Sequence, residues 1–134
     1  MLTSDEGPIL FHNTMKIAAG HLDQFVEAVR RAVAFAEVHG PQLMVDVHVD
    51  EERMLAHSFQ LYRDSDAIRE HWRLSDPYIR GVMEHCEVER FEVYGAPDDA
   101  VREGLQPMAE SGIPLTITGR TAGFARFLED PEKL

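Results

Sequence analysis

The chain has 134 residues, 28% charged and 44% hydrophobic, the make-up of one ordinary globular domain with a core of its own. A net charge of −11 speaks against nucleic acid or an anionic membrane as partner, because phosphate surfaces are read by clustered Lys and Arg. The one cysteine, Cys86, excludes an internal disulfide and any multi-cysteine metal centre.

Residues 1–7 read as a polar lead-in without the basic flank or apolar run of a signal peptide. No stretch approaches the ~18 apolar residues of a spanning helix, so a cytoplasmic location is expected. From Pro8 to Ala18 the pattern alternates. Ile9, Phe11, Asn13, Met15 and Ile17 form one face, and Leu10, His12, Thr14 and Lys16 the other, a half-buried strand. Asn13 is the polar residue on the apolar face. After Gly20, His21 to His39 repeats Leu22, Phe25, Val26, Val29, Val33 and Ala36 at helical spacing, and Gly40-Pro41 ends the helix.

Gln42 to Asp50 is expected as a second strand, with Leu43, Val45, Val47 and Val49 on one face and Met44, Asp46, His48 and Asp50 on the other. The turn Glu51-Glu52-Arg53 predicts a hairpin return over Met54 to Tyr62. The apolar face of that strand reads as Leu55, His57, Phe59 and Leu61, which makes His57 a second polar residue on a core-like face.

Asp64 to Cys86 predicts two short helices hinged at Ser75-Asp76-Pro77. Asp64 or Ser65 can cap the first, and Pro77 suits the first turn of the second. Ala67, Ile68, His71 and Trp72 share a face of the first helix. Tyr78, Ile79, Val82, Met83 and Cys86 share a face of the second. A fourth strand follows over Val88 to Tyr94, with Phe91 and Val93 inward. Beyond Gly95-Ala96-Pro97, a helix over about 98–110, a strand over 113–118 and a last docked turn over 123–128 form an extension (96–134), packed on the same domain or on a partner subunit.

Through residue 95 the order is β-α-β-β-α-β, the ferredoxin-like α+β arrangement with helices on one face of an antiparallel sheet. The opposite face is expected to carry Leu10, Met44, His48, Ala56 and Tyr94. A sheet apolar on both faces needs a second cover, and a homodimer joined through the sheets supplies one.

Two segments, FHNTMKIAAG (11–20) and YRDSDAIREHWRLSDPYIRG (62–81), resemble the antibiotic-biosynthesis-monooxygenase-like group of the dimeric α+β barrel superfamily, over about residues 8–95. The resemblance implies a homodimeric α+β barrel and cofactor-free monooxygenation of an aromatic or polyketide-like phenol or anthrone with O2. A haem-degrading branch of the group uses an Asn, a Trp and a His. Asn13 and Trp72 match the first two, but the haem-ligating position, ten residues after the Trp, is Val82. His85 lies one helical turn further on.

Asn13, His57 and Trp72 are therefore the candidate catalytic residues of a pocket between sheet and helices. Asn13 would orient a phenolic or carbonyl oxygen, His57 (pKa ordinarily about 6.5) would take the proton, and Trp72 would stack. Phe11, Phe59, Ile68, His71, Tyr78 and Val82 are the expected lining. A phenolate so formed can pass an electron to O2, so no cofactor is required. Other readings stay open: Asn13 and His57 as mutual partners in a core, a barrel that binds a ligand without turnover, or a haem protein. Asp46, His48 and Asp50 alternate along one strand at ~6–7 Å, too far apart to share one metal ion comfortably. Cys86, on an apolar face, is expected to be a buried, inert thiol.

Overall fold

A computed structural model describes residues 7–74 and 77–126. The lead-in before Gly7, Ser75-Asp76 of the expected hinge and the part of the last turn from Phe127 onward lie outside the described residues. The elements run β1 (Ile9–Ile17), α1 (Leu22–His39), β2 (Met44–Asp50), β3 (Leu55–Tyr62), α2 (Ser65–Arg73), α3 (Pro77–Met83), β4 (Cys86–Tyr94), α4 (Asp99–Glu110) and β5 (Leu115–Thr118). The architecture is α+β. The sheet order is β2-β3-β1-β4-β5, with β1 antiparallel to both β3 and β4 and β5 parallel to β4. The first four strands have the ferredoxin-like order, and β5 extends the sheet beyond β4.

Local chemistry sets the boundaries. The Asp64 carboxylate accepts the Ala67 N–H at 2.9 Å and starts α2; Asp98 does the same for Val101 at 3.0 Å and starts α4. These two starts are tied together. The Asp98 N–H donates to Ser65 Oγ at 3.0 Å, and Arg69 bridges Asp66 and Asp98. The helix α1 ends where the Gly40 N–H donates to the Ala36 carbonyl, at 2.8 Å. β4 begins at Cys86, two residues before the expected Val88, because Cys86 already pairs with Ile17.

The helices cover one sheet face in two halves. Met15, Ile17, Phe25, Ala56, Val82 and Cys86 form a cluster under α1 and α3. Ile9, Phe11, Tyr62, Ile68, Phe91, Val93, Val101 and Leu105 form another under α2 and α4. Phe25 is wholly buried, and a side chain of that size contributes roughly 1.5–3 kcal/mol by leaving water. The central strand β1 crosses from one cluster to the other, and Asn13 lies midway between them.

The register reverses the expected faces of β3. Asn13 pairs with Ser58 and Thr14 with His57, so the covered face takes Ala56, Ser58, Gln60 and Tyr62. Leu55, His57, Phe59 and Leu61 lie on the open face with Leu10, His12 and Thr14. A shift of one residue exchanges every side chain between faces, and here the more apolar set of β3 faces the open side, so alternation alone points the wrong way. Ile9 and Met15 decide the register, since they bring Tyr62 and Ala56 to the covered side, where both are fully buried. Ala56, expected on the open face, is likewise moved. The open face is consequently more apolar than expected. The segment 119–125 meets its edge around a recess shared with Leu10, Leu61 and Tyr94. Among the described residues, no helix is long and apolar enough to cross a membrane.

Candidate functional site

Between the two core clusters, α1 does not fill the space above the sheet. Ala32 and Ala36, one turn apart with Val29 and Val33, are too short to reach it, and the strands beneath offer Ser58 and Val47 rather than a large residue. The result is a cavity of about 140 Å³. Its floor is Asn13, Met15, Val45, Val47, Ser58 and Gln60, and its sides are α1, His71 of α2, and Ile79, Val82 and Met83 of α3. Gln42, from the loop between α1 and β2, completes it. Ile79 and Met83 are 42% and 38% exposed, so α3 forms a thin wall toward solvent.

Part of the polar lining is internally satisfied. The Tyr62 hydroxyl donates to Gln60 Oε1 at 2.6 Å, and Gln60 Nε2 donates to Ser58 Oγ at 3.4 Å. Burial pushes the Tyr62 phenol well above its ordinary pKa, so it stays a donor. Gln42 Nε2 lies 3.1 Å from His71 Nδ1. With the amide as donor, His71 Nδ1 accepts; turning the amide over reverses the two roles. Among the described residues, Asn13 Oδ1 and Gln42 Oε1 are buried side-chain oxygens with no hydrogen-bond partner. The amide of Gln42 folds back over Gly40, where a Cβ would collide with its oxygen and approach the Ala36 carbonyl. Gly40 is thus required for close approach, its φ of −86° being open to any residue.

Of the sequence-predicted site residues, Asn13, His71 and Val82 meet at this cavity. The others lie elsewhere. His57 is on the opposite sheet face, since it pairs with Thr14 rather than Asn13. Trp72 is 41% exposed and turns to α4, where a Cβ on Gly104 would strike its ring. Phe11 and Ile68 are in the α2–α4 cluster, and Phe11 packs against Tyr62 and Phe91 with ring centroids 5.1 and 5.0 Å apart. Phe59 stacks on His12 at 4.4 Å on the open face, and Tyr78 leans outward on Phe35 at 5.5 Å. Gln42, Ser58 and Gln60 were missed. The available signal was the pair Ala32 and Ala36 facing Ser58, small residues on faces that a packed core would fill.

The open face carries a histidine chain. Glu92 Oε1 holds His12 Nδ1 at 3.1 Å, and His12 Nε2 lies 3.0 Å from His57 Nδ1. Burial lowers the His12 pKa, against the opposing pull of Glu92. A second pair, His21 and His85, meets through Nδ1 atoms 3.0 Å apart at the other end of the fold. Among the described residues, no three His, Cys, Asp or Glu side chains converge as a metal site requires. Cys86 is buried and its thiol is pushed up to about 11, first by burial and then by Glu87.

Haem does not suit the cavity. Position 82 is a buried Val, His85 is engaged with His21, and the volume is well below the roughly 300–1,000 Å³ of sites for larger ligands.

No family model matches the chain, and no curated protein matches it in sequence. Solved structures do match its fold. MupZ from Pseudomonas fluorescens is 15% identical with a TM-score of 0.70, over 90% of this chain and 95% of that one. SnoaB from Streptomyces nogalater, a cofactor-independent oxygenase, is 15% identical with a TM-score of 0.59, over 69% of this chain and 95% of its own. A Caulobacter crescentus CB15 protein, provisionally assigned as an antibiotic biosynthesis monooxygenase, is 16% identical with a TM-score of 0.59, over 70% of this chain and 93% of that chain. The chain thus has the fold of the antibiotic-biosynthesis-monooxygenase-like proteins. The match to MupZ extends further along it than residues 8–95 alone.

Proposed function

We propose that the protein is a cofactor-independent monooxygenase for a small phenolic substrate held in the cavity between β1 and α1. The observation that carries this reading is a partly open, mainly apolar recess lined by Asn13, whose buried Oδ1 has no partner among the described residues, and by the imidazole of His71. Asn13 accepts the substrate hydroxyl and fixes its orientation. His71, on the wall of the recess, is the base that takes the phenolic proton. His57, on the other face, has no part in this step. The phenolate gives one electron to O2, and the resulting radical pair combines at a ring carbon. Loss of water then leaves a quinone: one oxygen atom enters the ring, and the other leaves as water. Kinship of fold with SnoaB supports the reaction class.

A second copy of the chain is the proposed cover of the open face, where Leu10, Phe59 and Leu61 lie around the histidine chain. Light scattering is expected to give a dimer, and Phe59→Glu a monomer. Turnover is tested by oxygen uptake with electron-rich phenols. A general base typically contributes 10²–10⁴-fold, so His71→Phe is expected to lose about that factor. Uptake equal in wild type, His71→Phe and Asn13→Ala would reject the assignment, and binding without any uptake would leave a ligand-binding barrel.

A further inference from the structure

We infer that the pairing of two copies through the open face is pH-controlled, weakening in acid because the Glu92–His12–His57 chain takes up protons there. The inference rests on the open-face dimer proposed above and adds its regulation. The three side chains fix one another's protons. A carboxylate can only accept, so neutral His12 donates from Nδ1 to Glu92 Oε1, 3.1 Å away. Its Nε2 therefore accepts, with His57 Nδ1 as donor at 3.0 Å and Thr14 Oγ1 at 3.4 Å. A lone pair remains on His57 Nε2. The first added proton goes there, and its charge is shared along the bond to His12; a second has no acceptor unless that bond breaks.

The acidic groups around the chain are already engaged. Glu92 is met by Arg90 Nε at 3.4 Å and by the Tyr94 hydroxyl at 3.1 Å. On β2, Asp46 lies 3.8 Å from His48, and Asp50 is held by Arg53 at 3.3 Å. His48 pairs across the strands with His57, so its own protonation adds a like charge. Lys16 and Glu87 face each other at the far end of the face, and Arg120 borders the opposite edge. Phe59 stacks on His12 at 4.4 Å, with Leu10 and Leu61 alongside, so a copy seated on these apolar side chains also seals the imidazoles. Burial already lowers the His12 pKa within one subunit, and covering a charge without a counter-ion costs more. A two-fold pairing doubles the effect, because each copy brings the same patch. The overall charge acts the other way. At −11 the copies repel, and protonating histidines would tighten a dimer that lacked such a chain.

The test is sedimentation equilibrium of the full chain at pH 7.5, 6.5 and 5.5 and constant ionic strength, with far-UV circular dichroism at each pH. The dimer Kd is expected to rise roughly 10–100-fold from pH 7.5 to 5.5 with an unchanged spectrum, since up to about one proton is excluded per subunit. His57→Gln, whose amide can still donate to His12, should hold the rise below about threefold. His21→Gln, at the other end of the fold, should keep it. Dilution calorimetry of the wild type at pH 6 in buffers of different ionisation enthalpy should show proton uptake on dissociation, and its absence overturns the inference whatever the variants do. A Kd that is constant or falls in acid, or a His57→Gln dimer that dissociates like wild type, overturns it while the dimer stands. Loss of secondary structure together with the dimer at pH 5.5 overturns it too. A monomer at pH 7.5 at every concentration removes the open-face dimer and this inference together.

Discussion

Replacing Asn13 by leucine should make the unliganded protein more stable while removing its ligand preference. Asn13 sits at the middle of the central strand, paired to Ser58 on one side and Phe91 on the other, and its Oδ1 is buried without a partner among the described residues. An unsatisfied buried acceptor costs about 1–3 kcal/mol. Leucine is close to asparagine in shape, and the adjoining space of about 140 Å³ accepts the difference without overpacking. Allowing for imperfect packing, a gain of roughly 1–2 kcal/mol is expected. For a chain of this length that corresponds to a rise in Tm of about 3–8 °C. Urea unfolding followed by circular dichroism should show a higher midpoint at unchanged slope. A loss of stability of about 1 kcal/mol or more would refute the reasoning, because it would mean that the Asn13 amide is structural and already satisfied.

Three further outcomes follow from the packing and the charges. Burial holds His12 below its ordinary pKa; between that lowered value and about 6.5 the unfolded chain binds more protons, so stability rises with pH. The urea midpoint should therefore fall as pH drops from 7.5 toward 5, and His12→Phe should flatten part of that fall; an unchanged pH profile in the variant would remove His12 as its source. Gly104→Val drives a side chain into the Trp72 ring and should destabilise by about 1–3 kcal/mol, with a red shift of the single-tryptophan fluorescence; wild-type emission and midpoint would contradict the α2–α4 contact. Cys86, buried and raised to about 11, should react with a thiol reagent at pH 8 far more slowly in native than in urea-unfolded protein, and equal rates would show that the site is open.

Much of the fold is legible in the sequence because local rules agree. The alternation of Ile9 to Ile17, the helical spacing from Leu22 to Ala36, the caps Asp64 and Asp98 and the break at Gly40-Pro41 each act within a few residues, and each fixes an element. Asn13 was legible for the same reason: one polar residue interrupts an apolar strand face. Its supposed partners were not. Alternation alone puts His57 on the covered face, because Leu55, Phe59 and Leu61 belong to the more apolar set of β3; the distant pairs Ile9–Tyr62 and Met15–Ala56 put it on the open one. A large aromatic beside a hinge predicts a pocket wall at Trp72, yet its ring is claimed by Gly104 from a helix that begins 26 residues after Arg73.

The sequence by itself determined the elements, their order and the isolated amide on β1. Only the tertiary structure decided which face of β3 is covered, that Ala32 and Ala36 leave a void above Ser58, and that Gln42 folds over Gly40 to join Asn13 there. The reason is physical: periodicity and capping are properties of neighbours in the chain, while a cavity is defined by atoms that fail to meet across elements far apart in it.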